Sequence, residues 1–517
     1  MEIIASSKIA SLIKNEATVM VSGFIGSGVP EELLLEIEKN YLEKQSPKDL
    51  ELIFCAGVGD GKDKGLNHLA HEGLVKRTIG GHYGLSPKIT KLVFENKIAA
   101  YNFPQGIMAR LIRTSAAKVP FIVSKVGLNT FVDPRIEGGK LNKECKDDLV
   151  KLFIDDDGSE LLKYSSFNAD VALIRGTYAD KKGNISFAKE PLITDSLSMA
   201  QAAKNNGGIV IVQVEAVVDE TFDPKTVVVP GILVDYVVVA TNPEYQMQTF
   251  HTDYNEEFVK NSGKEIKLPT VKLSDRKIIA RRAAMELSKS DAVLNYGIGI
   301  PEMVANVLNE EGVEEHFTPT VEPGIIGGVP QGGLDFGASM CPEMILTQNY
   351  QFDFYDGNGI DCTFLGLAQT DQYGNLNVSK FGPKIAGAGG FINISQNAKK
   401  VIFCGTFKAG AKLTVENNEL KINEIGHTKK FIENVEQITF SSQYAIDNNL
   451  EVLYVTERAV FDLDRENKKL RLIEIAPGMD LEKDVLQEMD FRPVVSENLK
   501  IMDSSIFNED KMNLKLK

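Results

Sequence analysis

The chain lacks any run of about 18 consecutive apolar residues, so we expect no transmembrane helix among its 517 residues. The first eight residues lack a basic start followed by an apolar core, so we expect no secretory signal peptide. Cysteine is scarce and never occurs with Cys-x-x-Cys spacing; the five are Cys55, Cys145, Cys341, Cys362 and Cys404. We interpret them as reduced thiols of a cytoplasmic protein without a disulfide framework or a zinc site.

The chain also contains few histidines and has no excess of positive charge. Of six histidines only His68 and His71 lie close together, and no cysteine or acidic cluster joins them at metal-ligand spacing. We therefore expect that pair to be structural or solvent-exposed, and we expect no metal site. The net charge is −15, whereas nucleic-acid binding requires a basic face. These features favour small-molecule chemistry over a nucleic-acid or membrane partner.

Several common catalytic motifs are missing as well. The glycines of Gly23–Gly28 do not have GxGxxG spacing, and Gly387–Gly390 is not followed by a clear nucleotide signature. No GxxxxGK[ST] phosphate loop and no GxSxG nucleophile elbow occurs. The sequence therefore gives little support to a dinucleotide enzyme, a P-loop enzyme or a serine hydrolase.

What the chain does contain is a repeated strand, glycine loop and helix. The first copy has a buried strand at 17–22, a glycine loop at 23–30 and a helix that begins after Pro30. The second has a helix at 274–288 with Ser274 as N-cap, a strand at 292–294 and the loop 295–301, which runs into a further helix. Such units place backbone N–H groups at a ligand.

Two further landmarks repeat in the same order. An Asp-x-x-Gly-Asn turn occurs at 180–184 and at 371–375, and a helical segment precedes an apolar strand at 199–211 and at 394–403. We therefore predict an α/β protein of two related open domains with mainly parallel sheets and an active site in the cleft between them. The predicted domains are 1–245 and 274–517, the second carrying the candidate Glu, and the polar stretch 246–273 is the predicted linker.

One carboxylate stands out in the second half. Glu322 follows a β-forming segment, and the next twelve residues contain five glycines, two prolines and no charge. Glycines let the atoms of another molecule approach the main chain closely. The alternative is a glycine-rich surface turn with a solvated glutamate.

A carboxylate can act as a nucleophile on an activated acyl group, provided that donors face the developing oxyanion. The amide of Gln105 and the N–H groups of Gly389 and Gly390 are suitable donors. Alternatively, Gln105 caps the helix at 107–115 and Gly387–Gly390 serves only helix–sheet packing. A third polar candidate, Asp361, fits a turn or capping carboxylate better than a catalytic one.

These motifs together resemble family I coenzyme A transferases, and the resemblance covers nearly the whole chain. The segment from Val321 to Pro330 is similar to the catalytic-glutamate segment of the single-chain acetate or propionate type. Further segments that resemble the family are Gly23–Pro30, Pro104–Gly106, Phe131–Lys140, Gly297–Pro301, Gly387–Ile394 and Glu474–Leu481. Pro323 and Cys341 depart from the pattern, and these departures put the acyl preference in question rather than the reaction.

The resemblance implies a ping-pong acyl-CoA:carboxylate CoA-transferase with no metal or prosthetic group, for which coenzyme A or acyl-CoA is the substrate. Glu322 would form a mixed anhydride and then a glutamyl-CoA thioester, with Gln105 and Gly390 as oxyanion donors and with water excluded. The residues that would line the CoA arm are Gly297, Ile298, Gly299, Ile300, Pro301, Gly387 and Gly389. Homotetramers are common in the family, so a homo-oligomer is expected.

Three alternatives remain open at this point. A succinyl-CoA:3-oxoacid transferase would need a cation for the second carboxylate, and the sequence does not identify one. An acyl-CoA hydrolase on the same scaffold would admit water to the glutamyl thioester. A non-catalytic metabolite-sensing module would have no use for a nucleophilic Glu322.

Overall fold

The computed structural model describes residues 1–264 and 266–517. Contacts divide them into two compact units. Unit 1 contains Met1–Lys264, Val321–Asp353 and Phe381–Asn393, and the remaining described residues form unit 2. Glu322 therefore belongs to unit 1, although the sequence analysis assigns it to the second half of the chain. The division of the chain into domains 1–245 and 274–517 stays a prediction.

The sheet of unit 1 has eight strands, all paired in parallel, which confirms the predicted α/β class. The strands are β1 (Glu2–Ile3), β2 (Thr18–Val21), β3 (Leu50–Phe54), β4 (Val75–Gly80), β5 (Ala99–Asn102), β6 (Val171–Arg175), β7 (Ile209–Val214) and β8 (Tyr236–Val239). Their spatial order is β1-β8-β7-β6-β2-β3-β4-β5. Strands β3 and β6 are apolar except for Glu51 and Arg175, which fits burial on both faces, since every residue of these two strands is buried.

The sheet of unit 2 mixes both orientations. Its strands are β9 (Val293–Tyr296), β10 (Thr318–Val321), β11 (Cys362–Gly366), β12 (Lys400–Cys404), β13 (Glu451–Val455), β14 (Ala459–Asp464), β15 (Lys469–Ile475) and β16 (Val494–Ile501), ordered β10-β9-β11-β12-β13-β14-β15-β16. The pairs from β10 to β13 are parallel, and β14 is antiparallel to both of its neighbours. The chain passes into unit 1 at the last residue of β10, directly before Glu322.

Ten α-helices accompany these strands in the described chain. They are α1 (Ile9–Leu12), α2 (Glu31–Lys44), α3 (Pro87–Phe94), α4 (Gln105–Ala116), α5 (Ser196–Asn205), α6 (Asp275–Ala284), α7 (Met303–Glu311), α8 (Gln348–Asp356), α9 (Phe391–Asn397) and α10 (Ser442–Asp447). Shorter 3₁₀ or π-helical turns are Ser6–Lys8, Leu66–Leu69, Gly231–Leu233, Pro243–Tyr245, Glu256–Phe258, Glu314–His316, Gly333–Asp335, Leu481–Val485, Leu486–Glu488 and Ser504–Phe507. No helix of this described part is long and apolar enough to cross a membrane.

Smaller sheets, mostly antiparallel, accompany the two large sheets. Three strands pair at Phe121–Ser124, Val150–Ile154 and Glu160–Ser165, and a separate group contains Tyr178–Asp180, Ile185–Ser186, Ala216–Val218 and Val227–Val229. Ile325–Ile326 pairs antiparallel with Met344–Ile345. Separate two-stranded sheets are Val329–Pro330 with Ser339–Met340, Gln369–Thr370 with Leu376–Asn377, Lys380–Phe381 with Lys384–Ile385, Lys408–Ala409 with Thr428–Lys429, and Lys412–Glu416 with Glu419–Glu424.

The predicted repeat is visible in its turns. In unit 1 the Asp180 carboxylate accepts hydrogen bonds from Asn184 N at 2.9 Å and Asn184 Nδ2 at 2.8 Å. In unit 2 the Asp371 carboxylate accepts the same pair from Asn375 at 2.9 and 3.0 Å. The two strand–loop–helix units are also present: α2 follows Pro30 and α7 begins two residues after Pro301. Matching contacts at matching positions support the interpretation of two related halves.

The predicted linker has neither an α-helix nor a strand between 246 and 264, yet this part packs within unit 1. Gln248, Thr249 and Phe258 are buried there. Thr249 Oγ1 donates to Asp335 Oδ1 at 2.5 Å. The stretch is therefore fixed by its side chains even though its sequence is polar and lacks an apolar period.

Candidate active site

Glu322 lies at the first position after β10 and is half-buried. The backbone after it bends sharply. Gly324 has φ +141°, and a Cβ there would lie 2.3 Å from the carbonyl oxygen of Leu346. Leu346 N in turn donates to Gly324 O at 2.6 Å. Glycine at this position is therefore required by the close approach of two main chains, which explains part of the glycine content after Glu322.

Gln105 is the first residue of α4 and is buried, with 2% of its surface exposed. Pro104 is the N-cap of α4, and in the described chain no backbone N–H of this helix donates to the Gln105 side chain. Instead, Gln105 Nε2 donates to Gln348 Oε1 at 2.7 Å. The capping alternative for Gln105 is therefore wrong. One of its two amide N–H bonds is engaged by Gln348, which leaves the second for another acceptor.

The glycine loop before α9 is held against the start of α4. Gln105 N donates to Gly389 O at 2.8 Å, and Gly389 N donates to Gly81 O at 2.8 Å. Ala388 N donates to Asn102 Oδ1, also at 2.8 Å. The N–H of Gly390 has no acceptor among the residues that the structure describes. Of the two glycine donors predicted from the sequence, Gly390 is thus the one whose N–H can serve a ligand.

His82 is a neighbour of this loop that the sequence analysis missed. A Cβ on Gly389 would lie 3.5 Å from His82 Cδ2 and 3.8 Å from Gln105 Oε1, so these two side chains flank Gly389. Burial lowers the pKa of His82 to about 4, which keeps the imidazole neutral near pH 7. The one available signal was its place in Gly80-Gly81-His82-Tyr83-Gly84, where glycines leave room for the ring.

The loop Gly297–Pro301 belongs to unit 2. Gly297 N donates to Phe364 O at 2.8 Å, which fixes the loop at the end of β9. Ile298 is 58% exposed, and Gly299 has φ +92°. An exposed apolar side chain between two glycines is suited to contact a ligand, so the CoA-contacting role of this loop stays a prediction.

Asp361 has a structural role, as its alternative interpretation proposes. Its Oδ2 accepts hydrogen bonds from the backbone N atoms of Ala292 and Val293, both at 2.9 Å. Cys341, one of the two departures from the family pattern, is buried and has φ +54°. Its Sγ lies 3.1 Å from Glu257 Oε2.

Glu322, Gln105, Gly387, Gly389 and Gly390 all belong to unit 1. A carboxylate together with an amide N–H and a backbone N–H suits acyl transfer, in which a nucleophile and oxyanion donors are needed. Local spacing could not identify Gln348, since it lies 243 residues from Gln105 in sequence.

Comparison with known proteins agrees with this chemistry. The coenzyme A transferase family matches residues 3–240. The chain is 47% identical to the caffeate CoA-transferase of Acetobacterium woodii over 98% of this chain and 97% of that protein. It is 44% identical to the acetate CoA-transferase YdiF of Escherichia coli (strain K12), over 99% of this chain and 96% of that protein.

Solved structures give the same result. The apoenzyme of the acyl-CoA transferase YdiF from Escherichia coli O157:H7 superimposes with a TM-score of 0.93 and 43% identity, over 100% of this chain and 98% of that one. A thioester complex of the same protein with CoA matches with a TM-score of 0.93 and 42% identity, over 100% and 98%.

Proposed function

This chain belongs to the coenzyme A transferase family and is a CoA-transferase, and on that premise we propose that it moves CoA between short-chain acyl-CoA thioesters and free short-chain carboxylates. Acetate and propionate are the proposed acids. The reaction is ping-pong, and the enzyme carries CoA as a glutamyl thioester from the first half-reaction to the second.

Glu322 is the proposed nucleophile. Its carboxylate oxygen attacks the acyl carbonyl carbon, and the C–S bond breaks to give a mixed anhydride and CoA thiolate. The thiolate then attacks the glutamyl carbonyl carbon, which releases the first acid as its carboxylate and leaves glutamyl-CoA. A second carboxylate runs the same two steps in reverse. CoA enters and leaves as part of the substrates, so the thioester bond energy is conserved throughout.

The observation that carries this proposal is the pairing of Gln105 with the Gly389–Gly390 turn. The 2.8 Å hydrogen bond from Gln105 N to Gly389 O places a buried side-chain amide beside a glycine N–H that has no acceptor in the described chain. Each tetrahedral step above develops negative charge on a carbonyl oxygen. Two fixed donors at one place are the arrangement that stabilises such an oxygen.

For the CoA arm we propose two contacts. Gly387 and Gly389, with φ of +81° and +54°, keep the loop before α9 free of side chains. In unit 2, Gly297, Ile298, Gly299, Ile300 and Pro301 form the exposed turn described above. The apolar part of the arm would pack on Ile298, and the glycines would let it approach the main chain.

The alternatives from the sequence are narrowed by these findings. Family membership sets aside the metabolite-sensing module. The relatives differ in the acid for which they are named: caffeate at 47% identity, acetate at 44%, and succinyl-CoA:3-ketoacid transferases such as that of Rattus norvegicus at 28%. The acyl-CoA hydrolase would use the same Glu322 but would let water reach the thioester.

A two-substrate panel tests the proposal. Acetyl-, propionyl-, succinyl- and caffeoyl-CoA are each assayed with acetate, propionate, acetoacetate and caffeate as acceptors, and initial rates are measured at several fixed acceptor concentrations. We expect parallel double-reciprocal lines, the highest kcat/KM for acetate and propionate, and negligible release of free CoA without an acceptor. Intersecting lines would contradict the covalent intermediate, acceptor-independent CoA release would favour the hydrolase, and a preference for caffeate or acetoacetate would replace the proposed acids.

We also propose that the protein acts in the cytoplasm as a homotetramer. The support is the family resemblance and, for the compartment, the wide spacing of the five cysteines. Light scattering coupled to size exclusion measures the mass directly. A mass of one chain or two chains would contradict the tetramer.

A further inference from the structure

Three buried side chains form an unbroken hydrogen-bonded line that ends on Gln105. Gln348 Nε2 donates to Asp195 Oδ2 at 2.5 Å, and Gln105 Nε2 donates to Gln348 Oε1 at 2.7 Å. Each of the three residues has at most 2% of its surface exposed. All three belong to unit 1, although Asp195 and Gln348 are 153 residues apart in sequence. We call this set the amide relay.

The chemistry of the line gives it one direction. An ionised carboxylate can only accept hydrogen bonds, whereas a primary amide donates through nitrogen and accepts through oxygen. Gln348 must therefore turn its NH2 group toward Asp195 and its carbonyl oxygen toward Gln105. Gln105 must in turn present its NH2 group to Gln348. With Asp195 at the end, neither amide can reverse without placing two acceptors face to face.

The Asp195 side chain takes part in the relay and not in the local hydrogen bond that its position in the chain would allow. It occupies the N-cap of α5, where an aspartate side chain ordinarily accepts from a backbone N–H of the first turn. Here the side chain makes no capping hydrogen bond. By contrast, Asp480 at the cap of the turn Leu481–Val485 accepts from Lys483 N in the usual way.

The backbone before Asp195 is strained as well. Thr194 has φ +54°, a conformation that a β-branched residue rarely adopts. Its carbonyl oxygen accepts from Gln348 N at 3.1 Å, so the strained residue is attached to the same helix start as the relay. Strain of this kind persists where the surrounding structure demands a particular geometry, and it is concentrated at functional sites.

Within residues 1–264 and 266–517, the carboxylate of Asp195 is not part of an ion pair. Burial raises the pKa of Asp195 to about 6, and its neutral neighbours Cys55 and Gln348 only partly oppose that rise. An unneutralised buried carboxyl reduces stability near pH 7, so stability alone does not explain its presence.

We propose that Asp195 and Gln348 are positioning residues that fix the amide orientation of Gln105, so that its second N–H faces the acyl oxygen. This inference rests on the proposed role of Gln105 as an oxyanion donor. Neither residue touches the substrate; each acts through Gln105. The alternative is a purely structural contact between the starts of α4 and α8.

The test is a double-mutant cycle on the transferase reaction. Gln348→Met and Asp195→Asn are each made in the wild type and in Gln105→Ala, and kcat is normalised to the amount of glutamyl-CoA formed in a single turnover. We expect Gln105→Ala to lower kcat about 100-fold, in line with loss of one oxyanion donor. Gln348→Met should lower kcat about tenfold and Asp195→Asn several-fold, with KM for acyl-CoA changed less than twofold, because orientation rather than binding is lost.

The decisive comparison is in the Gln105→Ala background, where we expect either second substitution to change kcat less than twofold. If either second substitution lowers kcat in Gln105→Ala by the same factor as in the wild type, the relay is overturned, while the proposed function stays intact. Full activity of Gln105→Ala would remove the donor role and the relay together, whereas absence of any glutamyl-CoA in the wild type would remove the proposed function itself. A loss of kcat that disappears after normalisation would show a structural contact only, which also overturns the relay.

Gln351→Met is the matched control. Gln351 has the same residue type, lies one turn further along α8 and is fully buried. Neither of its amide atoms is hydrogen-bonded within the described part of the chain. We expect normal kcat for this variant. A tenfold loss equal to that of Gln348→Met would mean that any amide-to-thioether change in α8 impairs the enzyme, and would overturn the assignment to the relay.

Discussion

Unit 1 contains two clusters of hydrogen-bonded polar side chains that are built in opposite ways, the buried amide relay with one carboxylate and a partly buried cluster with two. In the amide relay, Asp195 has neutral partners and a pKa raised by burial. In the second cluster, which we call the histidine cluster, His68 lies between Glu31 and Glu38 at 2.9 and 2.6 Å, and His71 Nε2 lies 2.8 Å from Glu38 Oε1. There each carboxylate has a histidine partner.

The difference separates two uses of buried polar groups. Burial disfavours the charged form of His68, but hydrogen bonds to Glu31 and Glu38 outweigh it and raise the pKa of His68 to about 9. The cation is therefore present near pH 7 and compensates the carboxylates, so this cluster stabilises the fold. Among the described residues the relay has no such compensating cation, and its proposed role is to fix an orientation. Variants of the amide relay should change the rate of the reaction, and variants of the histidine cluster should change the stability of the protein.

The largest expected effect comes from Glu322. Glu322→Gln should lower kcat at least ~10⁴-fold, because an amide does not attack a thioester and nucleophile loss typically has effects of this size or larger. The thermal midpoint should remain that of the wild type, since Glu322 is half-buried at the end of a strand. Glu322→Asp, whose nucleophile is displaced by about 1 Å, should also be severely impaired. Retained transferase activity in Glu322→Ala would contradict the assignment.

The next effect in size is that of Gln105. Gln105→Ala should lower kcat about 100-fold, with a smaller change in KM, because the lost hydrogen bond strengthens in the transition state. Steady-state kinetics against acyl-CoA measure both constants. A 100-fold rise in KM with unchanged kcat would show that Gln105 contributes only to substrate binding. It would contradict the expectation that variants of the amide relay change the rate of the reaction.

His68→Gln should lower the stability of the protein and leave kcat nearly unchanged, the reverse of Gln105→Ala. It leaves Glu31 and Glu38 without the charged imidazole between them, which should reduce the free energy of unfolding by on the order of 2 kcal/mol. The thermal midpoint should fall by a few degrees. Activity per folded enzyme should remain within twofold of the wild type. A large loss of kcat at unchanged stability would show that the histidine cluster also serves catalysis.

The smallest effect is a dependence of stability on pH. Because the folded pKa of His68 is raised from 6.5 to about 9, its stabilising contribution is fully present below about pH 6.5 and is lost as pH rises through about 9. Denaturant unfolding from pH 7 to pH 10 should show a decline that is reduced in His68→Gln. Parallel declines in the two proteins would assign the effect to other groups.

Local features of this fold could be predicted from the sequence. The N-cap Ser274, which accepts from Lys277 N, and the repeated Asp-x-x-Gly-Asn turns follow from interactions across a few residues. Gly324 also allows a close backbone approach, but the approaching atoms belong to Leu346 of the same chain and not to another molecule, as the sequence suggested. In these cases one residue type satisfies one local requirement.

The rest depends on contacts that local patterns do not contain. Gln348 reaches Gln105 across 243 residues, and the partners of His68 lie 30 and 37 residues before it in α2. The passage of residues 321–353 and 381–393 into unit 1 is another long-range property. A glutamine in an amphipathic helix or a histidine in a turn carries no sign of such a distant partner.

The most direct test of the covalent mechanism is intact-mass analysis of the protein after incubation with acetyl-CoA and removal of free ligand. We expect a gain of one CoA less one water per chain, located at Glu322 by peptide mapping, cleaved by hydroxylamine and absent in Glu322→Gln. An unmodified wild-type mass during active turnover, or an adduct on any other residue, would contradict it.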